Sequence, residues 1–194
     1  SCVRASFPRA KVLSIDTSAA KAVEGVVAVF TADDVPGAKK IGHLVQDYDV
    51  LIPVGSITHF LGDAIVLVVA ENAAALEVGK AAVKVEYEPL TPILSAEDAS
   101  KDGFELVHLE RKDNLLSYQC VKRGNAQEII QNSAHVVTNH YSVPFTDHAF
   151  LEPECAVAEV EGDGVHIFSG DQGVYQTRKE CSIMLGLPQE QVRV

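Results

Sequence analysis

Hydrophobic and polar positions follow one another in short blocks that change period repeatedly along the chain. Lys11 to Asp16 (KVLSID) alternate loosely, and Asp16-Thr17-Ser18 offers side-chain oxygens to the orphan first-turn N–H groups of a short helix from Ala19 to about Gly25. The β-branched run Val26 to Phe30 predicts a strand, and Ala32-Asp33-Asp34-Val35-Pro36-Gly37 is turn chemistry. Between Ala38 and Phe60 the pattern is irregular, a stretch longer than a passive connector and so a candidate for binding or docking. The seven-residue run Ala64 to Ala70 (AIVLVVA) predicts a buried strand. Glu71-Asn72 then opens a helix over Ala73 to Ala82. Val83, Val85 and Tyr87 alternate with Lys84, Glu86 and Glu88, which predicts a strand with one wet face, ended by Pro89 and Pro92.

Apolar periodicity fades between Ser95 and Leu116, where charged residues and His crowd together, and this shift places a domain boundary there, drawn at 112/113. Beyond it Asn125 predicts the cap of a helix over Ala126 to Ser133 with Ile129 and Ile130 facing inward. Strands are expected at His135 to Val143, Glu154 to Val160 and Val165 to Phe168, the last two joined by the hairpin signal Glu161-Gly162-Asp163-Gly164. A last helix, Tyr175 to Leu185, stops at Gly186 with Pro188 two residues on. Short strands and helices around shared cores make an α+β protein.

Composition narrows the classes of function. With 16 Lys+Arg against 27 Asp+Glu the formal charge is −11, which disfavours a phosphate backbone or an anionic lipid surface as partner. The longest apolar run is far below the roughly 20 residues of a membrane-spanning helix. Cys2, Cys120, Cys155 and Cys181 form no C-x-x-C pair and no signal-peptide core opens the chain, so reduced thiols and a cytoplasmic location are expected. Ser1 stands in an apolar, basic stretch and Val192-Arg193-Val194 reads as a strand still under way, so the expectation is a piece of a longer polypeptide.

Spacing alone supports little chemistry. His135, His140 and His148 lack helical metal-ligand spacing, and core or cross-strand histidines explain them better than zinc. Cys155 and His166 could face each other across the hairpin as a thiolate pair, although Cys155 in an alternating apolar strand reads better as a small buried hydrophobe. Gly162-x-Gly164 lacks the third glycine of a dinucleotide fingerprint. Two segments stand out. Thr146 to Glu154 (TDHAFLEPE) sets His148, Glu152 and Glu154 around a Phe-Leu pair, and Ser169-Gly170-Asp171-Gln172-Gly173 is a polar turn between a strand and a helix. Such a turn exposes N–H groups at a helix start, and its glycines permit close approach of a ligand; a plain loop capped by Asp171 is the equal alternative.

At these residues the sequence resembles a known family. HAFLEPECAVAEVEGDG, FSGDQG, the helix ending LGLP and the strand QVRV are similar to the start of the molybdenum-binding domain of the xanthine dehydrogenase and aldehyde oxidase family. RASFPRAKVLSIDTSAAKAVEGVVAVFTADDVPG, GDAIVLVVAENAAALEVGKAAVKVEYEPL and VKRGNAQEIIQNSAHVV resemble its preceding α/β hammerhead domain and the link after it. The stretches KKIGHLVQDYDVLI and GDQGVYQ look most like the selenium-dependent xanthine dehydrogenase branch. Asn125 stands where the family usually has Asp after Arg-Gly, and Asp171-Gln172-Gly173 where Thr-Gln and a polar residue are common.

The resemblance implies a hammerhead domain over residues 1–112 and an incomplete N-terminal part of a molybdopterin-binding domain over 113–194. The activity it implies is hydroxylation of a purine such as xanthine or hypoxanthine, with oxygen taken from water and hydride passed to a sulfido or selenido ligand on molybdenum. Electrons would then leave through iron–sulfur clusters to FAD on other domains or subunits. Gln172 matches the glutamine whose amide donates to an oxygen on molybdenum, with Gly170 and Gly173 giving it room; an amide suits the task because it does not titrate. His148, Glu152 and Glu154 match residues near the site in supporting positions, no residue receives a catalytic role, and none ligates metal directly. The glycine-rich loop, pterin-binding segments and glutamate base of the family fall beyond Val194, so the chain alone is expected to be inactive. An aldehyde or another N-heterocycle as substrate, or a stand-alone non-catalytic module docking through Ala38 to Phe60, are the alternatives.

Overall fold

The seven-residue apolar run is the centre of the structure, a computed structural model that describes residues 1–152 and 154–194. Strands β1 (Cys2–Arg4), β2 (Ala10–Asp16), β3 (Val26–Phe30), β4 (Lys40–Ile41), β5 (Tyr48–Asp49), β6 (Ala64–Ala70) and β7 (Lys84–Pro89) alternate with helices α1 (Ser18–Lys21) and α2 (Ala73–Ala82). Strand β6 is flanked by β1 and β3, both antiparallel, with Cys2 opposite Leu67 and Val29 opposite Val68. Ile65, Val66 and Val68 are fully buried, so β6 is covered on both faces, which is why it reads as a continuous apolar run and not as an alternation. By contrast β7 pairs with β2 alone and alternates exposed and half-buried residues, as its sequence predicts.

Local signals place the helices. Asn72 Oδ1 accepts from the Ala75 N–H at 3.0 Å and caps α2. Asp16 Oδ1 accepts from the Ser18 N–H at 2.9 Å, so the short helix α1 starts one residue early, and it stops at Lys21, before the Gly25 turn. Strand β1 carries too few residues to show a period, and its pairing with β6 is a long-range event. The segment expected to be an irregular docking loop is irregular for most of its length but sends Leu51, Ile52 and Thr58 into the core, and β4 pairs with β5. Its tip around Leu44 and Val45 is exposed, as are Tyr48, Val54 and Phe60.

Contacts divide the chain into two compact units, Ser1–Ser95 with Glu154–Val194, and Ala96–Pro153. In the second unit α3 (Ala96–Ala99) and α4 (Ala126–Gln131) are short, and Asn114 ties its loops by accepting from the Val107 N–H and donating to the Ala99 and Glu105 carbonyls. Two expectations fail here. Asn125 makes no cap to the backbone of α4, because its amide donates to Glu128, and Ile129 and Ile130 are exposed and do not face inward. His135 to Val143 forms no strand, since β propensity needs a partner edge and this stretch pairs with none among the described residues.

The chain re-enters the first unit as the hairpin β8 (Ala156–Glu161) and β9 (Gly164–Ser169), turning at Gly162 with φ +61. Helix α5 (Val174–Leu185) then returns the chain to β10 (Val192–Arg193), which lies parallel to β9 and completes a strand–helix–strand crossover. Gly186, at φ +67, ends α5 in the left-handed region, and the Leu187 N–H closes the end on the Ser182 carbonyl at 3.0 Å.

Candidate functional site

The polar turn 169–173 lies where β9 hands over to α5, outside the carboxyl end of a parallel strand, the position at which α/β units commonly present ligand contacts. Its internal hydrogen bonds assign each residue a role. Ser169 Oγ donates to Asp171 Oδ2 at 2.5 Å and the Gly173 N–H donates to Asp171 Oδ1 at 2.8 Å. These bonds, that from Ser169 foremost and with the Thr177 hydroxyl adding to them, hold the Asp171 carboxyl below its usual range. The carboxylate therefore serves as the internal brace of the turn and an acceptor at the start of α5.

Gln172 is different. Its side-chain amide has no hydrogen-bond partner among the described residues, and the residue is exposed. A Cβ on Gly170 would meet nothing within 4 Å, and one on Gly173 would meet only Gln176 Cβ, at an ordinary 3.6 Å. Neither glycine is demanded by packing in the described residues, and neither has a positive φ. Together they leave the turn bare on either side of an uncommitted amide, an arrangement that accommodates an external oxygen-rich group. The residues present thus fit a cofactor that needs a neutral donor and close backbone approach.

The other flagged residues lie on other segments of the chain. His148 and Glu152 are exposed in the second unit, close to an Asx turn in which the Ala149 N–H donates to Asp147 Oδ1 at 2.8 Å and Ala149 takes φ 50. Glu154 is exposed at the entry to β8, in the first unit. The Cys155–His166 pair does not form, because Cys155 precedes β8 and is exposed, while the register sets Glu159 opposite His166 and the His166 ring lies 4.0 Å from that of Phe168. Among the described residues no group of three or more His, Cys, Asp or Glu could hold a metal ion, and no helix is long and apolar enough to cross a membrane.

An ionic pair between the partly exposed His59 and the buried Asp63 escaped the sequence reading. Asp63 accepts from the His59 and Phe60 N–H groups through Oδ2, and the His59 ring nitrogen Nδ1 stands 3.8 Å from the same oxygen. Burial alone would raise the Asp63 pKa, but the bonds from the His59 ring and the two N–H groups outweigh it and lower it. The same contact with Asp63 raises His59 above its ordinary 6.5, with burial and Lys40 opposing and Asp49 adding to the rise. His59 and Asp63 are four residues apart in irregular chain, a spacing that signals nothing without the fold.

Residues 1–91 match the family described as "Aldehyde oxidase and xanthine dehydrogenase, a/b hammerhead domain", and residues 107–194 match "Molybdopterin cofactor-binding domain". The chain is 31% identical over 193 residues to a probable xanthine dehydrogenase subunit from Bacillus subtilis, covering 99% of this chain and 25% of that one. It is 28% identical over 192 residues to the nicotinate dehydrogenase large molybdopterin subunit of Eubacterium barkeri, covering 98% of this chain and 44% of the relative. Against the solved aldehyde oxidoreductase of Desulfovibrio gigas the TM-score is 0.89 at 26% identity, over 99% of this chain and 22% of that chain. The quinoline 2-oxidoreductase of Pseudomonas putida shares the fold, with a TM-score of 0.86 over 99% of this chain and 25% of that one, at 24% identity. The chain thus spans less than half the length of these relatives. Two domain matches in family order, on a fold that superposes along nearly its whole length, lead to one conclusion: the chain belongs to the aldehyde oxidase and xanthine dehydrogenase family of molybdenum hydroxylases.

Proposed function

We propose that this chain is the hammerhead domain and the first part of the cofactor-binding domain of a molybdenum-dependent purine hydroxylase, with the division near residue 112. The observation that carries the reading is the uncommitted Gln172 amide in a turn whose other polar side chains brace each other. Gln172 would donate to an oxygen of the molybdenum–molybdopterin group, and Gly170 and Gly173 would let that group approach the backbone. When bound, the group supplies hydroxylation of an electron-poor ring carbon with oxygen from water. The contribution of this chain is a neutral donor, which stabilises charge without changing protonation state. His148, Glu152 and Glu154 would have supporting roles that touch no reacting atoms. Iron–sulfur and flavin domains or subunits, together with the remainder of the molybdenum subunit, are the proposed partners, and the chain by itself turns over neither xanthine nor hypoxanthine.

In the molybdenum-loaded enzyme, Gln172→Ala is expected to lower kcat by about a hundredfold, while stability changes by no more than about 0.5 kcal/mol because the side chain is exposed. Wild-type turnover would remove the assignment. The selenium-dependent branch rests on the KKIGHLVQDYDVLI and GDQGVYQ stretches, and selenium analysis of the loaded enzyme tests it. The similarity to a nicotinate dehydrogenase subunit favours a second reading, another N-heterocycle as substrate, which a comparison of kcat/KM for xanthine and nicotinate decides.

A further inference from the structure

Helix α5 carries the Gln172–Gly173 turn at its first end, and a segment distant in sequence secures the other. The last-turn carbonyls of a helix have no partner inside it. In α5 the Met184 carbonyl accepts from the Gly37 N–H and the Ile183 carbonyl from the Ala38 N–H, each at 2.9 Å. One turn earlier Glu180 Oε2 accepts from the Gly42 N–H at 3.3 Å, and Glu180 Oε1 accepts from the Gln176 amide. The next residue, Thr177, donates its N–H to the Gly173 carbonyl at 2.9 Å. A continuous set of contacts therefore runs from residues 37–42 along α5 to the turn.

The anchor has no slack. A Cβ on Gly37 would lie 2.1 Å from the Ile183 carbonyl oxygen and 2.7 Å from both the Met184 oxygen and the Gly186 nitrogen, all backbone atoms that cannot swing aside. Gly37 has no positive φ, so glycine is required there by the approach of two backbones and not by conformation. At the opposite end Val174 and Tyr175 are exposed. A helix of this length is a lever of about 18 Å, so a tilt of about 3° at the anchor moves the first turn by about 1 Å.

We propose that residues 37–42 of the hammerhead domain are a positioning element for the Gln172 turn, setting the height and direction of α5. The proposal rests on the reading of Gln172 as a cofactor contact. A displacement near 1 Å at a reacting site can cost about a hundredfold. In the molybdenum-loaded enzyme, Gly37→Ala and, separately, Glu180→Ala are expected to lower kcat by about tenfold or more with KM changed less than about threefold. Molybdenum content should be retained, and the electron paramagnetic resonance spectrum of the metal should shift in the same sense as in Gln172→Ala. A merely structural role would lower content and melting temperature and leave the spectrum of the surviving molecules unchanged. If Gly37→Ala does not fold, Glu180→Ala carries the test. In the Gln172→Ala background neither substitution should reduce kcat further. If Gln172→Ala alters rate and spectrum while Gly37→Ala and Glu180→Ala alter neither, or if the effects multiply, the positioning proposal is overturned and the Gln172 assignment stands. If Gln172→Ala alters neither, the assignment fails and this proposal with it.

Discussion

Replacing Gly79 by alanine sets two effects of comparable size against each other. Glycine in a helix interior is about 1 kcal/mol less favourable than alanine, so on a solvated face the change would stabilise α2. Gly79 is buried against the sheet, however, and a Cβ there would stand 2.7 Å from Val26 Cγ2 and 3.2 Å from Val68 Cγ1. Carbon pairs rest at about 3.5–4.0 Å, so the Val26 contact must open by close to 1 Å. Val68 is fully buried in the central strand and cannot retreat; Val26 is held in the ladder opposite Ala70. Overpacking of this kind costs about 1–3 kcal/mol, which exceeds the propensity gain. Gly79→Ala should therefore destabilise the chain by about 1 kcal/mol, read as a lower urea midpoint at constant m-value in far-ultraviolet circular dichroism. Val26→Ala removes the obstructing methyl, and in that background Gly79→Ala should become neutral or stabilising, a coupling of about 1 kcal/mol or more. Stabilisation by Gly79→Ala alone, or additivity of the pair, would refute the close seating of α2 on β3 and β6.

The His59–Asp63 pair makes stability pH-dependent with a definite sign. His59 is raised above its ordinary 6.5, so its contribution is complete below that value and is lost as pH rises through the raised folded value. Asp63 is lowered from 3.8, so its contribution is present above that value and is lost as pH falls through the lowered one. Melting temperature should fall as pH rises from about 6 to about 8, the window around the ordinary His value. Asp63→Asn should flatten that fall and cost about 1–2 kcal/mol as a buried acceptor is weakened; an unchanged slope would show that the pair does not titrate with folding. Asn72→Ala should cost about 1 kcal/mol by leaving the Ala75 N–H without its cap, measured by urea denaturation, and a change below about 0.3 kcal/mol would deny Asn72 that role.

Much of the first unit was legible in the sequence because its signals are local. The two-faced apolar run of β6, the Asn72 cap of α2, the wet face of β7 and the Gly162 turn each depend on residues within a few positions of one another. So does the stop of α5 at Gly186. Gln172 stood out only through the family resemblance, since a lone glutamine in a polar turn has no spacing to mark it. Tertiary structure decided what distance in the chain conceals. It paired the three residues of β1 with β6, buried Leu51, Ile52 and Thr58 from a segment that reads as loop, and left His135 to Val143 without a sheet. It also showed that Ser169 and Asp171 are engaged with each other while Gln172 is not, and that Gly37 and Ala38 close the carbonyl end of the helix that carries it. Periodicity and caps are encoded by neighbours and survive reading in one dimension. Strand partners, burial and backbone-to-backbone approach depend on residues that only the folded chain brings together, so no local pattern announces them.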